Sequence, residues 1–346
     1  MGSGALKNYN PIRVTQETRE WLSPTLVQIL HEINSGYRIG EVPAYRSKQS
    51  FGDLDFVVES GWFSMADPIV KFATQVGPVS GPIIVRNGGV NSIGVWLGDT
   101  KVAQPGIFQV DLISAPTDRY DFTMSYLSWN DVGNLVGRIA RRADLKFGHD
   151  GLWYSVRQGT RLFEEVLITL DFTKALMFLG FDPLWWKDGF DEIKSIHEFV
   201  RSSRYMTSQA FFARNQRDRY RDEKRPVYGS FVQGLETDPP KDGEPIPSED
   251  PERYDWVVGY FPEAKGAIDD ALERARLRVE ARDKFTATMV MRLTGITGPP
   301  LGEVMTAIRG QWDDQPAMDR ALVKMSNEEI ETMILTFFKK VHPNGV

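Results

Sequence analysis

Three aspartates carry the chemistry that this sequence can offer. Asp53 and Asp55 lie one residue apart in Phe51-Gly52-Asp53-Leu54-Asp55-Phe56-Val57-Val58, and Asp111 lies in a second β-prone run, Phe108-Gln109-Val110-Asp111-Leu112-Ile113. Side chains alternate faces along a strand, so Asp53 and Asp55 are expected to point the same way while Leu54, Phe56 and Val58 point into the body. Carboxylates brought within about 4 Å repel by roughly 4 kcal/mol per pair at an effective dielectric near 20. Such a cluster persists only when it is protonated or neutralised by cations. Oxygen-only ligation suits Mg2+ or Mn2+, which keep several waters and take one or two carboxylates together with substrate phosphates. Two such ions, about 3.5–4 Å apart, clamp an in-line phosphoryl displacement. The acids therefore predict a nucleotide substrate.

The approach to the pair strengthens that expectation, because a Gly-Asp-x-Asp string by itself is common at strand ends. In Tyr45-Arg46-Ser47-Lys48-Gln49-Ser50-Phe51-Gly52, two cations and several hydroxyls precede the carboxylates, as a triphosphate would need.

The elements that must position these groups are of mixed type. Thr15 can cap a helix in which Trp21, Leu22, Leu26, Ile29, Leu30 and Ile33 fall near helical spacing before Gly36 ends it. Between the acids come a helix-like stretch at 66–74, a Gly/Pro/Asn-rich region at 77–91 and short strands at 92–97 and 108–114. Residues 128–147 read as a helix with Arg138, Arg141, Arg142 and Lys146 mostly opposite its apolar side. His149 to Tyr154 then read as a turn into a strand, and from about 160 onward the signals are mainly helical. A long amphipathic helix is expected at 262–293, a new one from Leu301, and a last one opened by a capping box of Ser326 and Glu329.

Composition bounds the rest. A chain of 346 residues with 41% hydrophobic and 12% aromatic residues can bury a core and hold two domains. The absence of cysteine excludes disulfides, Cys-ligated zinc and thiol catalysis, and the four scattered histidines argue against a His-built zinc site. With no apolar run of about 18 residues and no signal-peptide profile at Met1-Gly2-Ser3-Gly4-Ala5, a cytoplasmic protein without a membrane partner is expected. Its oligomeric state is left open.

A net charge of −6 argues against a globally basic coat for nucleic acid, but the charge is unevenly spread. Between Arg201 and Arg225 eight basic residues, Arg214, Arg217 and Arg219 among them, interleave with Tyr205, Phe211, Phe212 and Tyr220. Either this is a solvated helix face or a groove wall that neutralises phosphates and stacks bases. Arg138, Arg141 and Arg142 pose the same choice. Residues 236–255 hold five prolines and eight acids against two basic residues, the composition of a flexible loop.

The run from Val42 to Asp55 resembles the signature of the DNA polymerase beta-like nucleotidyltransferase superfamily, most closely the family X polymerases. There a Gly-Ser pair opens a helix, an arginine lies seven residues before the first metal aspartate, and Gly-Asp-hydrophobic-Asp follows. Arg46, Gly52, Asp53 and Asp55 match without a gap, and Asp111 resembles the third carboxylate, which in that family activates the primer 3′-hydroxyl. Phe122-Thr123-Met124-Ser125 is similar to the Phe-Thr-Gly-Ser turn beside the sugar, and Trp129-Asn130 to the following aromatic-Asn pair, offset by one residue. The likeness covers roughly residues 40–155.

The resemblance implies an α+β fold: a nucleotidyltransferase-type palm at 41–157 with a mixed sheet bearing the acidic triad. An N-terminal helical segment at 1–40 would precede it, and a mainly helical C-terminal domain at 158–346 would follow. It also implies transfer of a nucleoside monophosphate from an NTP or dNTP to a nucleic-acid 3′-hydroxyl, with two Mg2+ or Mn2+ ions on Asp53, Asp55 and Asp111. The nucleotide would meet Arg46, Ser47, Lys48, Ser50, Gly52, Ser125 and Asn130. Two departures bear on this. Val42-Pro43 replaces Gly-Ser, removing a phosphate-binding hydroxyl for which Ser47 or Ser50 would have to substitute, and Met124 replaces a glycine. The short N-terminal stretch gives no reason to expect base-excision lyase activity. A tRNA, protein or small-molecule acceptor stays open, as does an inactive nucleic-acid-binding module.

Overall fold

Thr15 caps the first long helix as its position predicts, accepting the Thr18 N–H at 3.2 Å. The computed structural model describes residues 4–64, 67–98, 102, 104–212 and 225–343. Its first elements are β1 (Val14–Thr15), α1 (Gln16–Ile33), β2 (Ile39–Glu41), β3 (Ser50–Phe51), β4 (Asp53–Glu59), α2 (Pro68–Val76), β5 (Ile83–Asn87), β6 (Val90–Leu97) and β7 (Gly106–Ala115). The short strands β1 and β3 pair with each other, and the main sheet has the order β2-β4-β7-β6-β5. Only β4 and β7 run parallel in that sheet; the other pairs are antiparallel. The class is mixed α+β.

Alternation along β4 and β7 decides what each face of the sheet does. Leu54, Phe56 and Val58 join Phe108, Val110 and Leu112 in one core with Phe72, Trp62 and the Leu22–Leu26–Leu30 stripe of α1. The opposite face is split. Its far half holds Val57 and Ala115, which cluster with Tyr120 of α3 (Tyr120–Leu127), and Val42, Met124 and Leu127 pack onto them. Its near half carries the acids.

After α3 the chain departs from the expected helix at 128–147. The helix α4 spans only Val132–Arg142, and Leu145–Gly148 is strand β8. Trp129 and Asn130 both adopt left-handed backbone, φ 63° and 64°, which no helix accommodates. Leu145 and Phe147 are buried in alternation against β9 (Gly151–Gln158), a period of two that overrides the helical one. Two strands were also hidden. The Gly/Pro/Asn-rich region contains β5, and β10 (Arg161–Thr169) lies where helix was expected.

Helices then dominate: α5 (Phe172–Phe178), α6 (Pro183–Asp188), α7 (Ile193–Arg201), α8 (Gln209–Phe212), α9 (Pro226–Thr237) and α10 (Glu252–Tyr260). The acidic proline-rich segment between α9 and α10 is tied down instead of loose. Gly243 and Glu244 donate their N–H groups to the carbonyls of Met206 and Arg204 at 2.7 and 2.6 Å, and Ile246 is buried. The helix expected at 262–293 is two, α11 (Lys265–Lys284) and α12 (Ala287–Thr294), because Thr286 caps the second by accepting the Met289 N–H at 3.0 Å. Last come α13 (Gly298–Arg309), α14 (Gln315–Lys324) and α15 (Asn327–Val341), the last with its capping box of Ser326 and Glu329.

The chain divides into two compact units, residues 1–154 with 167–262, and residues 155–166 with 263–346. The cut expected at 157 thus falls inside β9, and α5 to α10 belong with the acid-bearing sheet. Among the described residues no helix is long and apolar enough to cross a membrane.

Candidate metal centre

Asp55 and Asp111 are direct register partners across β4 and β7, and Asp53 lies one pleat further along the same face. Each of the three offers a carboxylate oxygen within 4.8 Å of the others. Asp111 is buried and the other two are half-buried. Asp53 Oδ2 and Asp55 Oδ1 are closed off from solvent without a hydrogen-bond partner. Acceptor-only oxygens in that state are costly unless protonated or bound to a cation. The donor set is all oxygen, so it fits a hard divalent ion.

Electrostatics agree with that geometry. Loss of solvation, reinforced by repulsion from neighbouring carboxylates, pushes Asp53 up to about 6 and Asp55 up to about 7. Burial raises Asp111 as well, against hydrogen bonds from Ser92 and Gln109 that favour its charged form. Gln109 Nε2 donates to both oxygens of Asp111, at 3.0 and 3.1 Å, while Gln109 Oε1 accepts the Leu6 N–H at 3.2 Å. Ser92 is the register partner of Asp111 on β6. These two supporting groups went unread in the sequence, although Gln109 stands two residues before Asp111 and so must share its face.

Lys48 is the cation that faces the acids. Burial lowers its ammonium below the ordinary lysine range, opposed by the charges of Asp53 and Asp55, and its Nζ sits 4.7 Å from the Phe51 ring centre. Arg13 is a second cation, carried to the site by the pairing of β1 with β3. Its Nε donates to Ser50 Oγ at 2.8 Å and its Nη2 to the Ser50 carbonyl at 3.0 Å. No local pattern announces Arg13, because long-range strand pairing alone brings it there. Ser50 is thereby occupied, Ser47 is exposed, and Gly52 is buried at the β3–β4 junction.

Arg46 is held elsewhere. Its Nη1 lies 2.7 Å from Asp191 Oδ1, its Nη2 donates to the Asp188 carbonyl, and its guanidinium stands 5.9 Å from the Trp129 ring centre. The backbones agree: Arg46 and Ser47 donate to the Phe190 and Asp191 carbonyls at 2.9 and 2.8 Å, and Trp129 N–H donates to the Pro43 carbonyl at 2.6 Å. Three segments, 42–47, 128–131 and 188–191, therefore meet. Gly189 is required at that meeting point, since a Cβ there would come within 2.4 Å of the Trp129 ring. Asn130 Oδ1 is enclosed without a partner among the described residues, and Ser125 lies half-buried on α3 with its carbonyl accepting the Ser128 N–H at 3.2 Å.

No family model matches the chain, and comparison with curated proteins finds no match.

The described residues expected to meet nucleic acid differ in their placement. Arg138 is buried, with its guanidinium 5.5 Å from the Tyr228 ring centre, so it is a core cation and not part of an exposed face. Arg141 is exposed, and Arg142 lies 3.5 Å from the Tyr205 carbonyl. Tyr205 and Phe211, expected among the stacking aromatics, are core residues, while Phe212 is exposed. Arg214, Arg217 and Arg219 lie outside the described residues.

Proposed function

We propose that the protein is a metal-dependent nucleotidyltransferase that moves a nucleoside monophosphate from an NTP or dNTP to a nucleic-acid 3′-hydroxyl, releasing pyrophosphate. The observation that carries this reading is the convergence of Asp53, Asp55 and Asp111 on adjacent strands, two of their oxygens enclosed and unpartnered. Asp53, Asp55 and Asp111 would hold two Mg2+ or Mn2+ ions. When bound, such ions supply an acidified hydroxyl nucleophile and charge stabilisation of the leaving pyrophosphate.

The chain's own groups do the positioning. Gln109 and Ser92 fix the Asp111 carboxylate, and Lys48 supplies positive charge beside the acids where the phosphates would approach. Arg46 is a further phosphate ligand once it leaves Asp191, an exchange made easy by the exposure of that pair. Asn130 Oδ1 is an acceptor in need of a donor, such as a nucleotide hydroxyl.

Labelled primers, with and without template, incubated with each dNTP and NTP in Mg2+ or Mn2+, test the reading by product length. Elongation is expected, and Asp55→Asn is expected to abolish it while the fold persists. Undiminished incorporation by that variant would overturn the assignment. Absence of elongation together with a metal-dependent thermal shift by NTPs would redirect the search to a tRNA, protein or small-molecule acceptor.

A further inference from the structure

The second unit contains a cleft of about 610 Å³ whose lining includes Arg161, Arg278, Arg282 and Arg309 but a single carboxylate, Asp319. Four positive charges against one negative give the lining a net charge of +3 in a chain whose total is −6. Asp319 is itself committed: buried, it takes Arg278 Nη1 at 3.0 Å and Gln315 Nε2 at 2.9 Å. Among the described residues, Arg161, Arg282 and Arg309 have no ion pair. Elsewhere in the same unit Arg274 is paired with Glu164, Arg276 with Glu273 and Glu280, and Arg292 with Glu331.

Three separate elements aim these guanidinium groups at one space. Arg278 and Arg282 stand one turn apart on α11, Arg309 is the last residue of α13, and Arg161 opens β10. Thr286 and Ala287, the cap and first residue of α12, line the same cleft and add the positive end of a helix. The remainder of the wall is apolar, including Phe163, Met305, Met318 and Leu322. A site for a bare inorganic anion would not need that wall.

We infer that this cleft binds a phosphorylated nucleoside, its phosphates on Arg161, Arg282 and Arg309 and its base and sugar against the apolar wall. The volume lies within the usual range for sites of small ligands, and planar guanidinium groups suit phosphate bidentately. The ligand is either a free nucleotide or the 5′-phosphorylated end of a nucleic acid. The inference does not rest on the role of the three aspartates.

Calorimetric titration of the full chain with ADP in EDTA tests it, since EDTA keeps metal from the aspartates. Binding is expected, weakened about tenfold or more by the double replacement Arg282→Glu, Arg309→Glu at exposed positions. Competition by a 5′-phosphorylated oligonucleotide but not its 5′-hydroxyl counterpart would assign the nucleic-acid end; failure of both to compete would assign the free nucleotide. Undiminished ADP binding in the double variant, equal displacement by sulfate, or no binding of ADP or the phosphorylated oligonucleotide to the parent at millimolar concentration would overturn the proposal.

Discussion

Asp55 on β4 and Asp111 on β7 oppose each other directly across a parallel strand pair, so two carboxyl groups share one side of the sheet with no pleat between them. Their stability cost follows from charge. Asp53 and Asp55 ordinarily release protons near 3.8 but in the folded chain hold them to about 6 and about 7. Between those values the folded state binds more protons than the unfolded one, so stability falls as pH rises.

In EDTA, the melting temperature should therefore decline between about pH 4 and 7, by roughly 2–4 °C for each kcal/mol removed. Mg2+ or Mn2+ should reverse most of the decline, because a bound cation replaces the protons. A melting temperature that is flat or rising over this range in EDTA would contradict the raised proton affinities.

Gln109 serves as the hinge pin of the third acid. Removing its amide in Gln109→Leu keeps the volume and the core but leaves Asp111 with only its Ser92 partner and Leu6 N–H without its acceptor. Outer partners of metal-binding carboxylates are worth about 10–100-fold in metal affinity. The Mg2+ midpoint for thermal stabilisation should rise by that factor. An unchanged midpoint would mean that Gln109 supports only the strand.

Arg46 and Asp191 form an exposed pair, which contributes about 0–1 kcal/mol. Asp191→Ala should leave the guanidinium only its Asp188 carbonyl and Trp129 contacts and lower the KM for the NTP by about two- to fivefold while barely moving the melting temperature. Arg46→Ala should raise KM instead. Equal KM values for both variants and the parent would remove Arg46 from the phosphate site.

How the site could be read from sequence depends on how far apart its parts lie. Asp53, Leu54 and Asp55 declare their faces through alternation alone, and the structure follows that pattern residue by residue. Lys48 is close in sequence and proves close in space. Arg13 and Asp191 were invisible because strand pairing and a distant turn deliver them. The expected helix at 128–147 failed for a related reason: the contact of Trp129 N–H with the Pro43 carbonyl holds a left-handed turn that local propensity would not choose. Tyr205 and Phe211 looked like stacking groups only while the core they fill was unknown.

Val42 and Met124 both pack on the cluster of Val57, Ala115 and Tyr120. Val42 N–H also donates to the Asp55 carbonyl at 2.8 Å, so this apolar patch adjoins the strand that carries Asp53 and Asp55. A small residue at either position would leave part of that cluster uncovered. Val42→Ala should cost about 1 kcal/mol and Met124→Ala about 2 kcal/mol, with the double variant departing from additivity by about 0.5 kcal/mol or more. Urea unfolding of the four proteins measures this; strict additivity would show that the two side chains pack on the cluster independently.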